Sequence, residues 1–387
     1  MKKTYIAMGG RSFLGVENGM YRHIPAEILG ARTLECLLRK AEGQIDSDRI
    51  DGILAGNGVG GGGNIARLMM LEAGLPQKIP AATIDGQCGS GLEALGMAGA
   101  KIMAGMGNLY IVGGFESSST APRRRYHENH PDYQSMGGEH AYYHVAKFAP
   151  GTHRDTAMLE GAEQVARQEG ITREMLNPWV LRSHSLARRA EEELLLKNVA
   201  WEVMPGCDRD EGIRPRMSQR LLNRLPCVLK DGQVTTAGNA CLTNDGAAFL
   251  ALASQEYCQS TGCTPWAQLE DVVSLGGNPM ESPTMAVMAV ETLLKKRGME
   301  ETDIDVFECN EAFAVIDELF ARRFPASVEK YNILGGALAY GHPYGASGGI
   351  ITLHAIEALR KVNGTYAICS IAAAGGLGTA ILLKRCQ

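Results

Sequence analysis

Short apolar runs of β character alternate along the chain with segments whose apolar residues recur at helical spacing, and the same order of elements occurs twice. Thr33–Lys40 is helix-like and leads through a polar turn to Ile50, Asp51, Gly52 and Ile53. Val290–Arg297 leads in the same way to Ile304, Asp305, Val306 and Phe307. Cys88-Gly89-Ser90-Gly91 opens an apolar helix-like stretch, and so does Gly345-Ala346-Ser347-Gly348. The run Leu109–Val112 has its counterpart in Thr365–Ile368. Three matches in one order, each at an offset of about 255 residues, predict an internal duplication. β-like runs separated by helix-like segments predict α/β units with strands covered on both faces.

The stretch between the copies differs in character. It holds polar helix-like segments over Glu160–Glu169 and Ser183–Leu195, the run Arg123-Arg124-Arg125 and most of the histidines. A structureless loop of that length is implausible in a compact protein, so it reads as an inserted lid or loop domain. The predicted organisation is residues 1–118 with 245–265 as the first half, 119–244 as the insertion, and 266–387 as the second half.

A chain of 387 residues, 45% of them hydrophobic, is long enough for a large buried core. A formal net charge of −5 argues against a nucleic-acid or membrane-surface partner. No apolar run approaches the roughly 20 residues of a membrane helix. Neither the start, Met1–Ile6, nor the end, Arg385-Cys386-Gln387, reads as a targeting signal. The ten cysteines are scattered and none forms a Cys-x-x-Cys pair. A reduced, cytoplasmic setting without a metal site is expected, with most thiols acting as small buried hydrophobes.

Four segments carry candidate chemistry. In Ile84–Leu95 a β-like run ends, Cys88 appears, and small residues open a helix. A cysteine there sits at the positive end of the helix dipole, which should depress its pKa and favour thiolate. In Leu334–Gly349, Gly341 and Pro343 frame His342 in a rigid turn; such an imidazole can take a thiol proton or support an oxyanion. Glu308–Ala314 follows a strand, where α/β sites collect, and Asn310 could equally be a helix N-cap. Ala374-Gly375-Gly376-Leu377-Gly378 can offer backbone N–H groups to an oxyanion. Each alone has an ordinary structural reading, as a buried thiol, a packed histidine, a cap or a turn.

Together these segments resemble the thiolase family. Gln87-Cys88-Gly89-Ser90-Gly91-Leu92 is similar to its nucleophile motif and Gly113-Gly114-Phe115-Glu116-Ser117 to a characteristic strand end. Thr236–Ala240 with Asn244–Ala248, then Asn310–Ala314, then Gly341-His342-Pro343, resemble three further signatures in the family's order. The resemblance covers essentially the whole chain. It implies a duplicated αβαβα five-layer fold with an inserted loop domain. It implies an acyltransferase acting on a coenzyme A thioester, which is substrate rather than bound cofactor, and a homodimer or homotetramer. By the same resemblance, Cys88 takes the acyl group and His342 activates it and helps bind the thioester oxygen. Asn310 would hold a water in that oxyanion hole. The N–H groups of Cys88 and Ala374, with Gly375 and Gly376 in the same loop, would form the second. Met158, Arg214, Cys241 and Phe313 would meet the substrate.

One position departs from the pattern. The family carries a second catalytic cysteine two residues before its glycine loop, where this chain has Ala372. Cys369 lies three residues upstream, roughly 10 Å along an extended strand and facing the other way. Cys241 stands where the family usually has serine. The departure predicts a divergent member, a condensing enzyme or acyltransferase that dispenses with that base. A non-catalytic scaffold is the alternative from another class. Three signals are discounted. Gly56–Gly61 matches a dinucleotide-binding pattern in spacing only. His140 and His144, four apart beside Glu139, lack a third metal ligand. Arg123-Arg124-Arg125 reads as a solvated turn, with contact to carrier phosphates as the alternative for these residues, Arg209 or Arg214.

Overall fold

The computed structural model describes residues 2–41, 43–143, 146–152 and 155–386. In chain order the first copy contains Thr4–Ser12 (β1), Ala26–Lys40 (α1), Gly52–Gly56 (β2), Ile65–Glu72 (α2), Ala81–Ile84 (β3), Ser90–Met103 (α3) and Leu109–Ser117 (β4). Ala157–Gln168 (α4) and Arg173–Glu192 (α5) belong to the long connection that follows. The chain returns through Asn244–Ser254 (β5). The second copy contains Ala267–Gly276 (β6), Thr284–Arg297 (α6), Val306–Cys309 (β7), Ala314–Arg323 (α7), Ser347–Val362 (α8), Tyr366–Ala373 (β8) and Leu377–Arg385 (β9).

The strands form one mixed sheet in the order β7-β8-β9-β6-β1-β5-β4-β2-β3, with Gly15–Val16 and Ala200–Trp201 attached beside β5 and β1. The order makes the duplication visible. On either side of the antiparallel β1–β6 seam, corresponding strands follow in the same sequence. Where the first half has β3, the second has only an isolated parallel bridge between Phe307 and Tyr331 among the described residues. Every residue of β4 and β5 is buried, which fits their apolar runs Leu109–Val112 and Ala247–Ala253: both faces are covered.

Helices α1 and α2 cover one outer face, and α6 with α7 covers the other. Between the two halves of the sheet run α3 and α8, each touching strands of both halves, which makes five layers. A helix in that position has no solvent face, and α8 is buried at every residue from Ser347 to Leu359. The two central helices meet backbone to backbone. A Cβ placed on Gly348 would lie 2.2 Å from the Leu92 nitrogen and 2.6 Å from the Gly91 carbonyl carbon. One on Gly114 would lie 2.0 Å from the Gly345 oxygen.

The long connection is fastened by buried charge. Glu163 on α4 accepts the backbone N–H groups of Gln233 (2.9 Å), Val234 (3.1 Å) and Thr235 (2.6 Å). Arg11 of β1 is fully buried and makes a bidentate pair with Asp210 at 2.8 and 2.9 Å. The two polar helices expected here exist, but the second begins at Arg173, ten residues earlier than its polar stretch suggested. Arg123-Arg124-Arg125 is not a solvated turn. Arg124–Arg125 pairs antiparallel with Tyr142–Tyr143, because the tyrosine-bearing strand gives the ribbon a partner that local sequence does not reveal. His144 lies outside the described residues, and among those described no cluster of His, Cys, Asp or Glu could hold a metal ion.

Gly348→Ala should destabilise the protein by about 1–3 kcal/mol or more, since backbone rather than a flexible side chain stands in the way. Gly61→Ala, where a Cβ meets nothing within 4 Å, should stay within about 0.5 kcal/mol of the parent. Urea unfolding of the two variants measures both.

Candidate active site

Strand β3 ends at Ile84 and α3 begins at Ser90; the five residues between form a tight, strained turn. Gln87 has φ 56°, a left-handed conformation that costs a non-glycine residue about 1–2 kcal/mol. Local hydrogen bonds offset it. Asp85 Oδ1 accepts from Gln87 N at 3.1 Å, and Ser90 Oγ accepts from Gly86 N at 2.9 Å while donating to Gln87 O at 2.5 Å. The turn presents Cys88 on the wall of a cavity of about 320 Å³.

His342 reaches the same cavity from the second copy. Gly341 before it has φ 100°, and a Cβ there would lie 2.0 Å from Asn244 Oδ1. Only glycine permits this approach, through which Asn244 Oδ1 accepts from His342 N at 3.0 Å. Ser347, the first residue of α8, sets the imidazole tautomer. Its hydroxyl donates to the Pro343 carbonyl at 3.0 Å, so toward His342 Nδ1, 2.6 Å away, it acts as acceptor. Nδ1 therefore carries the proton and Nε2 keeps its lone pair. Asn310 Nδ2 points at Nε2 from 3.5 Å, the outer limit of a hydrogen bond. Asn310 is not a helix cap: α7 starts at Ala314 with Phe313 before it, because a tight turn from Asn310 O to Ala312 N (2.9 Å) leads into Ala312–Phe313, which runs against another strand-like piece. There Ala240 bridges Phe313 and Cys241 N donates to Ala312 O at 3.0 Å.

Burial decides the charge state of the pair. It pushes the Cys88 thiol up to about 12, opposed by the polar backbone of Ala374 and of Cys88 itself; Glu116 and Asp85 raise it further. Burial likewise lowers His342 to about 3. The thiolate expected from the helix dipole is thus not the resting state, because desolvation outweighs a half-charge at one helix end. Thiol and neutral imidazole stand together instead.

The cavity also admits Met158, Cys241, Phe313, Ala372 and Ala374. It does not include Arg214, which is exposed on the surface and whose backbone N donates to His184 Nδ1 at 3.2 Å. Gly375 and Gly376 are not part of the cavity lining, and the N–H of Gly376 is committed to Ser282 Oγ at 3.1 Å. Cys369 is fully buried, its sulfur 3.7 Å from the Ile351 carbonyl oxygen on α8, so it faces away from Ala372's side of the strand. Arg124 does line the cavity and donates to Gly60 O at 2.6 Å.

Two contributors, Ser347 and Glu116, stood in the sequence only inside longer motifs, with no role assigned to either. Ser347 was visible only as part of the repeat. Glu116, the lone acid in a buried strand, accepts from Asn57 Nδ2 (2.9 Å), Gly58 N (2.8 Å), Val59 N (3.2 Å) and Gly345 N (3.0 Å), tying the loops on both sides of the site together. Those bonds also occupy amides of the 56–61 glycine run that a dinucleotide phosphate would need. Burial pushes the Glu116 carboxyl up to about 7 against these donors.

The thiolase N-terminal domain matches residues 4–256 and the thiolase C-terminal domain residues 263–385. YhfS of Bacillus subtilis (strain 168), provisionally named an acetyl-CoA C-acetyltransferase, is 35% identical over 377 residues, covering 97% of each chain. VraB of Staphylococcus aureus (strain MRSA252), provisionally named the same, is 35% identical over 391 residues and the full length of both. Among solved structures, Bacillus anthracis acetyl-CoA acetyltransferase superposes with TM-score 0.87 at 27% identity, over 100% of this chain and 99% of that one. Human mitochondrial 3-ketoacyl-CoA thiolase in complex with CoA gives 0.88 at 27% identity, over 100% and 98%.

With the thiol raised and the imidazole lowered, both groups are neutral from well below to well above pH 7. Alkylation of Cys88 by iodoacetamide, followed by peptide mapping, should therefore accelerate roughly tenfold per pH unit from about pH 6 to about pH 9 without a plateau. A rate already level across that range would mean a thiolate–imidazolium pair instead.

Proposed function

The chain belongs to the thiolase family and is a thiolase-type acyl-CoA C-acyltransferase, and from that premise we propose how its own residues divide the work. Cys88 Sγ attacks the thioester carbonyl and His342 Nε2, held with its lone pair free, takes the thiol proton. His342 and a water held by Asn310 then bind the thioester oxygen, while the N–H groups of Cys88 and Ala374 bind the oxygen of the acyl-enzyme. The observation that carries this reading is the convergence of Cys88, His342 and Ala374 on one cavity. A neutral pair suits the attack: the charges develop only as the reaction proceeds, where fixed donors stabilise them most.

We propose coenzyme A as the carrier. Met158, Leu159, Phe313 and Ile316 give the cavity an apolar wall suited to an acyl chain, and Arg124, rather than Arg214, is the arginine beside it. A second reading keeps acylation but transfers the group to another acceptor without thiolysis. It is favoured by Ala372, which lines the cavity where the family's second thiol would stand; screening acceptors against the acylated protein separates the two. We also propose the division of the chain at 119–244 as an insertion, a cytoplasmic setting and a homo-oligomer. Strand β3 supports the last, being a partly exposed edge with no partner on its outer side among the described residues. Sedimentation equilibrium should give a dimer or tetramer; a monomer at micromolar concentration refutes this.

Intact-mass analysis after incubation with acetyl-CoA and longer acyl-CoAs should show an acyl adduct on the parent protein and none on Cys88→Ala. An adduct that survives the substitution, or no adduct from any donor, would overturn the assignment of Cys88.

A further inference from the structure

Carbon–carbon bond chemistry next to a thioester needs a group that moves the α-proton, and that group cannot be Cys88 once it is acylated. Among the described residues, the titratable side chains on the cavity wall are Cys88, Arg124, Asp155, Cys241, His342 and Tyr344. His342 already holds the proton from Cys88. Arg124 is permanently cationic. Asp155 is exposed, at the solvent side of the cavity. Burial raises the Tyr344 phenol as it raises the Cys241 thiol, but a phenol starts as the weaker acid of the two and so is the poorer proton donor. Cys369 and Cys309 are buried off the cavity, the latter accepting from Ser370 Oγ at 3.0 Å.

We propose that Cys241 is the acid–base residue that exchanges the α-proton of the second acyl thioester, in place of the thiol missing at Ala372. The proposal rests on the thiolase-type reading above. The backbone holds Cys241 at the cavity wall, with its N–H pinned to Ala312 O at 3.0 Å and its neighbour Ala240 bridging Phe313. Its side chain packs against the apolar cluster that contains both Phe313 and Ala372. It faces the same cavity as Cys88, near enough for a charge on Cys88 to hold the Cys241 thiol higher, after burial itself.

The protons balance through two half-reactions. In the first, Cys88 gives its proton to His342, attacks the acyl thioester and expels the carrier thiolate. That thiolate takes the proton of Cys241 and leaves as a thiol, so Cys241 is a thiolate when the second thioester arrives. In the second, Cys241 removes the α-proton, and the resulting enolate attacks the acyl–Cys88 carbonyl, forming the carbon–carbon bond and breaking the carbon–sulfur bond. The departing Cys88 thiolate recovers its proton from His342, and both thiols are restored. Thiolysis runs the same steps backwards, with Cys241 protonating the α-carbon.

Intact-mass detection of acyl–Cys88, combined with deuterium exchange into the methyl group of saturating acetyl-CoA in heavy water, tests this. The full chain is used as parent, Cys241→Ser, and Cys241→Ser with Ala372→Cys, each checked by thermal melting. The parent should form the adduct and catalyse exchange. Cys241→Ser should form the adduct more slowly, because the departing carrier loses its proton donor, yet still accumulate it on long incubation, and should lose exchange by about 100-fold or more, as expected for removal of an acid–base group. Adding Ala372→Cys should restore it. Exchange by Cys241→Ser within about threefold of the parent would overturn the proposal, as would a parent that forms the adduct without exchanging. A parent that forms no adduct would overturn the acyltransferase assignment of Cys88 as well.

Discussion

The arrangement depends on one steric constraint: the N-terminal turns of α3 and α8 cross with no side chain between them. Gly91 and Gly348 bring backbone against backbone, and the Gly345 carbonyl lies against the backbone of Gly56 and Gly114. Each helix begins just after a chemically loaded turn, Cys88 before one and His342 before the other. The crossing therefore superposes the equivalent ends of the two copies and turns a duplicated unit into a pair of complementary groups. Moving the helices apart by the width of one methyl would separate Cys88 from His342, the proposed nucleophile and base, by a comparable distance, and catalytic geometry does not tolerate that.

A dry site follows from the same packing and sets its electrostatics. Because α3 and α8 are buried between two half-sheets, water does not solvate Cys88 or His342 well, and both are held neutral. The dipole at the start of α3 works in the opposite direction and loses, since desolvation of a whole charge outweighs the field of a few aligned amides. What remains directional is the hydrogen bonding. Ser347 chooses the tautomer of His342. Glu116 collects four donors from two loops, which keeps those loops in register without adding a free charge to the cavity.

The long connection over residues 119–244 supplies much of the cavity wall, including the Cys241 thiol near its returning end. Met158 and Leu159 on α4 and the returning Ala240–Cys241 segment face Phe313 and Ile316. The buried Glu163 carboxylate and the Arg11–Asp210 pair hold that wall to the core. Removing one partner of such a pair leaves an uncompensated buried charge, which costs about 3–5 kcal/mol.

The sequence by itself determined the fold class, the duplication, the two helix openings at Ser90 and Ser347, and the identity of the nucleophile and base candidates. Those signals are local: apolar periodicity, small residues at a helix start, and glycine and proline around His342 depend on backbone physics within a few residues. Tertiary structure alone decided the charge state of Cys88 and the tautomer of His342. It also decided that Arg124 rather than Arg214 lies at the cavity, and that Cys241 shares a wall with Ala372 while Cys369 turns away. Each of these depends on burial or on contacts between residues tens to hundreds of positions apart. Desolvation and long-range packing leave no mark in a local pattern, because they arise only when the two copies and the insertion close around the same space.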